Sequence, residues 1–140
     1  MGIMNLFKKK KSGFEDKVPP FDTDIVYQGV NIWITDNIEE SKLHVEEDYA
    51  RLTEKGIDKI IREMYLPWLK AEEFKDRDDE KILEGLKIDD ITYEYISATG
   101  EGRFDFFFIS CSTDTYDMLE SDCMELTLKD GDIKFDAWVV

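Results

Sequence analysis

The last third of the chain carries the pattern that most limits its fold. Two alternating apolar runs, Met124-Glu125-Leu126-Thr127-Leu128 and Ile133-Lys134-Phe135-Asp136-Ala137-Trp138, meet across Lys129-Asp130-Gly131-Asp132. Period-two alternation puts the apolar side chains on one face of a strand, and Asp-Gly between such runs is a strong hairpin signal. The same device occurs upstream, where Ile91-Thr92-Tyr93-Glu94-Tyr95-Ile96 meets Arg103-Phe104-Asp105-Phe106-Phe107-Phe108-Ile109 across Gly100-Glu101-Gly102. Strands that are apolar on one side need a cover for that side, and regular alternation argues against a buried parallel sheet. An earlier hairpin is expected from Ile25, Val26 and Tyr27 through Gln28-Gly29 into Val30, Ile32 and Ile34.

Between residues 46 and 66 the period changes. Tyr49, Leu52, Ile57, Ile60, Ile61 and Met64 recur at steps of mostly three and four, which is one stripe of an amphipathic helix. Glu46, Glu47 and Asp48 suit the positive end of its dipole, and Pro67 is expected to end or kink it. Lys75 to Glu80 reads as a solvated charged connection, and Ile82, Leu83 and Leu86 as a short helix stopped near Gly85. The expectation is an α+β domain, a mainly antiparallel sheet covered on one face by a long amphipathic helix.

Charge divides the chain unevenly. Of 140 residues, 33 are acidic and 18 are Lys or Arg, for a net charge of −15. Residues 1–20 hold five lysines against Glu15 and Asp16, a net +3, so residues 21–140 carry −18. Residues 1–20, ending at Pro19-Pro20, are expected to form a flexible basic arm, and 21–140 a single domain. Such an acidic domain argues against nucleic-acid binding, which depends on cations neutralising phosphates. No run of apolar residues is long enough to span a bilayer, and Ile3, Met4, Leu6 and Phe7 before Lys8 to Lys11 make too short a segment for stable membrane insertion. The apolar residues precede the lysines, the reverse of a secretory signal, so a cytoplasmic location is expected.

Candidate chemistry is sparse. Gly100-Glu101-Gly102 lacks a third glycine and lies between strands, so it reads as a turn and not a phosphate loop. His44 is the only histidine, which removes multi-histidine metal sites, and a solvent-facing position just before the helix is its expected place. Cys111 and Cys123 read as two buried thiols. The stretch 112–125 is the most distinctive: Asp114, Tyr116, Asp117, Met118, Glu120 and Asp122 interleave carboxylates with aromatic and Met side chains on what reads as a long connection. That mixture suits contact with a basic protein partner. The alternative is a carboxylate- or metal-dependent hydrolase using the same loop. Its spacing fails the helix-loop-helix calcium pattern, so neither a metal, a cofactor nor a catalytic residue is assigned.

One resemblance bears on this. The helical Asp58-Lys59-Ile60-Ile61-Arg62-Glu63-Met64-Tyr65, the stretch Leu86-Lys87-Ile88-Asp89-Asp90-Ile91, two strands, an acidic loop and the closing hairpin together resemble small acidic bacterial α+β domains of unknown function. Some of these look like immunity proteins, small acidic domains that inhibit a partner stoichiometrically. Many of them place a histidine in the acidic loop, where this chain reads Glu120-Ser121-Asp122-Cys123, so a role resting on that histidine does not carry over. The resemblance implies a noncatalytic acidic protein-binding domain, an immunity-type inhibitor of a basic protein.

Overall fold

The structure, a computed structural model, describes residues 18–72, 78–111 and 118–140, with residues 72, 110, 111 and 118–121 described as backbone only. Among the described residues six strands form one sheet in sequence order: β1 (Phe21–Tyr27), β2 (Val30–Ile34), β3 (Leu86–Ile96), β4 (Glu101–Cys111), β5 (Met118–Lys129) and β6 (Asp132–Val139). Between β2 and β3 run α1 (Ile38–Lys55), α2 (Ile57–Ile60), a π-helical turn (Ile61–Tyr65), α3 (Leu66–Glu72) and α4 (Asp79–Gly85). That helical crossover makes β2 and β3 parallel, whereas every other neighbouring pair is antiparallel. The sheet is therefore mainly antiparallel, as expected, but mixed, with one parallel pair that hairpins alone do not predict. A parallel pair needs a long crossover, and here the crossover is the helical layer itself.

The single helix expected over 46–66 is also corrected. α1 begins at Ile38 and stops at Gly56, which adopts φ 94° and donates its N–H to Leu52 O at 3.0 Å. A left-handed φ is inexpensive only for glycine, so the break falls there. The buried positions of α1 are Ser41, Val45, Asp48 and Leu52, correctly spaced for one face but half of them polar. Polar residues on the inward stripe hid the first half of the helix from an apolar-periodicity reading. Pro67 does not end the helical run, since it lies inside α3 on the solvent side. The π turn precedes it, with Leu66 N–H bonded to Ile61 O, and the wider turn relieves the contact of the proline ring with the preceding carbonyls.

The core lies between the helices and one face of the sheet. Ile32, Ile34, Ile91, Tyr93, Phe104, Phe106, Phe108, Met124, Leu126 and Leu128 face Val45, Leu52, Ile57, Tyr65, Leu69 and Ile82. Aromatic rings knit it together: Tyr65 stacks on Phe108 with centroids 4.7 Å apart, and Tyr93 tilts against Phe104 at 4.7 Å. A buried polar pin crosses the layers. Tyr93 Oη donates to Asp48 Oδ2 at 2.6 Å, and a Cβ built on Gly102 would fall 1.9 Å from that oxygen, so glycine leaves the room for the pair. The helix start is anchored by Ser41 Oγ, which accepts from Tyr95 N–H at 2.9 Å, and by Asn37 Nδ2, which donates to Tyr95 O at 2.6 Å.

Candidate functional site on the helix-free face

Alternation sends every second residue of β2–β6 to the opposite side, and the registers align them in rows. One row reads Trp33, Thr92, Asp105, Glu125, Asp136 across five strands. Beside it run Glu94, Arg103, Thr127, Lys134 and, on the other flank, Asp90, Phe107, Cys123, Trp138. The helical core contacts all fall on the other face.

The centre of this face is an unequal charge cluster. Arg103 Nη2 donates to Glu94 Oε1 at 3.0 Å, while Arg103 Nε lies 3.4 Å from Glu125 Oε2 and 3.8 Å from Asp105 Oδ2. Three carboxylates share one guanidinium. Asp105 is the most enclosed, its side chain 16% exposed against 34% for Arg103. Burial pushes the Asp105 carboxyl up to about 6; the guanidinium of Arg103 pulls it down, and Glu125 and Glu94 push it further up. Burial also raises the carboxyl of Asp90. The free thiol of Cys123 is buried, and desolvation raises it strongly, with Asp105 and Glu125 adding to the shift; such a thiol is an inert small apolar group. Around the charges stand half-buried Trp33 and Phe107 and the 39% exposed Trp138.

The acidic stretch singled out in the sequence divides differently from its expected course. Asp114, Tyr116 and Asp117 lie outside the described residues. Met118 and Glu120 belong by their backbone to β5, opposite Cys111 and Ser110. Asp122 is a correction: it is wholly buried within β5, opposite Phe108 and Val139 and in phase with Met124 and Leu126, hence on the helix-covered face. A carboxylate that breaks an apolar alternation reads as loop in the sequence, although the backbone continues as strand. His44 is displaced too. It sits within α1, half-buried, stacked on Tyr95 at 3.7 Å with Nε2 3.9 Å from Glu40 Oε2.

What the sequence reading missed was visible in the alternation. Arg103 and Asp105 on one strand, Thr92 and Glu94 on the next, and Glu125 and Thr127 on the third are the complements of the apolar residues used to find the strands. Among the described residues no group of three or more His, Cys, Asp or Glu side chains is placed to hold a metal ion. No helix among them is long and apolar enough to cross a membrane. Comparison with protein-family models, with curated proteins and with solved structures finds no match.

Proposed function

We propose that this chain is a noncatalytic acidic protein-binding domain, an immunity-type inhibitor that engages a basic protein through the helix-free face of its sheet. The observation that carries the reading is the imbalance around Arg103, where Glu94, Asp105 and Glu125 share one guanidinium on a face that also presents Trp33, Phe107 and Trp138. A partner's lysine or arginine completes such a cluster, and the aromatic rim supplies apolar contact area and cation–π faces. The charge of −15 adds long-range attraction, so association is fast at low ionic strength and slows as salt screens it.

The test uses a defined probe. Titrating an arginine-rich decapeptide into the labelled full chain should shift the amides of β3, β4 and β5 around Glu94, Asp105 and Glu125. Exchanging Glu94→Gln and Glu125→Gln together should weaken binding about ten-fold, the loss of two modest charge contacts, and flatten its salt dependence. Equal binding by the double variant, or shifts confined to the other face, would sink the proposal. A saturable stabilisation by Ca²⁺ or Mg²⁺ beyond that of an inert salt of equal ionic strength would favour metal-dependent hydrolysis instead.

A further inference from the structure

We infer that β6 is a self-pairing edge and that two copies of this chain join there into one continuous antiparallel sheet. The inference is independent of the binding face proposed above. Among the described residues the sheet order ends at β6, an eight-residue strand without a register shift against β5. Ala137 N–H is held by Asp136 Oδ1 at 2.9 Å, which marks the amides of Ile133, Phe135 and Ala137 as those directed away from β5, since antiparallel strands alternate. The opposite edge is built otherwise. β1 carries a register shift between Asp22 and Val26 with Asp24 at φ 67°, and Asp22 Oδ1 accepts both Asp24 N–H and Asn31 Nδ2 at 2.9 Å. Such a bulge blocks strand addition, and β6 has none.

Side chains on β6 match their own copy. Ile133, Phe135 and Ala137 pack only partly against the core and remain half-exposed, an apolar strip at the margin of the sheet. A two-fold axis through Phe135 sets Phe135 opposite its counterpart, Ile133 opposite Ala137, and Lys134 opposite Asp136 on the other face. Shifting the axis by one residue either way opposes Lys134 to Lys134 or Asp136 to Asp136. Directly opposed like charges destabilise a strand pair, and opposed unlike charges and aromatic pairs support it, so charge favours the Phe135-centred register over either neighbouring one. Pairing exchanges the local Asp136–Ala137 contact for a Lys134–Asp136 bridge between copies, repeated twice by symmetry.

Sedimentation velocity on the full chain decides it. A concentration-dependent shift from 16.5 kDa to twice that mass is expected. Lys134→Glu or Asp136→Lys alone should each lower the association constant about ten-fold or more, because each opposes like charges twice. The two substitutions combined should restore it. A single-chain mass up to several hundred micromolar, a dimer indifferent to either single reversal, or a double variant that stays dissociated overturns the inference. Hydrogen exchange on the unsubstituted protein gives a second reading: the amides of Ile133 and Phe135 should slow as concentration rises, and unchanged rates in a sample that sediments as a dimer would also overturn it.

Discussion

On β4 the two faces of the sheet are one residue apart. Phe104, Phe106 and Phe108 are at most 3% exposed beneath the helices, while Arg103, Asp105 and Phe107, alternating with them, stay partly open to solvent. The covered face removes apolar area from water and holds the buried carboxylate of Asp48 with a tyrosine hydroxyl. On the open face, burial first, and the neighbouring Glu125 and Glu94 after it, raise the Asp105 carboxyl against the pull of Arg103. Hydrophobic burial explains the first arrangement and not the second. The proposed binding face rests on this second arrangement.

Four substitutions break or sharpen this contrast. Phe106→Ala empties a fully buried aromatic site and should cost about 3–5 kcal/mol in denaturant unfolding; a loss below about 1 kcal/mol would mean that the covered face is not the core. Gly102→Ala drives a methyl into Asp48 Oδ2 and should cost about 2–4 kcal/mol, with Asp48→Ala in the same background recovering part of it. If the alanine variant unfolds like the parent, the pin is looser than its geometry. Tyr93→Phe removes the hydroxyl alone and should cost about 1–3 kcal/mol, the price of a buried carboxylate without its donor.

The smallest effect has the opposite sign. The folded carboxyl of Asp105 sits near 6, above its unfolded value, so the folded state binds the extra proton between about pH 4 and 6. This contribution to stability grows as pH falls through that window, and at pH 7 the ionised group is a liability. Asp105→Asn should therefore stabilise the protein by about 1 kcal/mol at pH 7, with the difference from the parent closing by about pH 4. A destabilising Asn at pH 7 would show that Arg103 holds Asp105 as a favourable ion pair.

Much of this was legible before any coordinates. The Asp130-Gly131 and Gln28-Gly29 turns, the strands around Tyr93, Phe106, Leu126 and Phe135 and the helical stripe through Leu52 and Ile60 all follow from local period and turn chemistry. Three features did not. Ser41 and Asp48 line the inward face of α1 because they bond Tyr95 and Tyr93, partners about 50 residues away that periodicity does not reveal. Asp122 sits in strand phase with Met124, yet its charge reads as loop. The Arg103 cluster needs the register of β3, β4 and β5 to bring Glu94 and Glu125 to one guanidinium, and register is a tertiary property.

The crossover between β2 and β3 also sets an order of assembly. From β3 to β6 each strand follows its neighbour in sequence and space, so contacts form by short-range zipping, with β5 and β6 joined by a two-residue turn. Pairing β2 with β3 instead closes a chain of about 50 residues, an entropic burden roughly 3 kcal/mol heavier than that of a tight hairpin. The four-strand meander is thus expected to serve as the nucleus, with the β1–β2 hairpin docking once the helices have shortened the path. Pulse-labelled hydrogen exchange during refolding should protect Phe106 and Leu126 before Ile32 and Ile34; the reverse sequence would place the nucleus in the crossover.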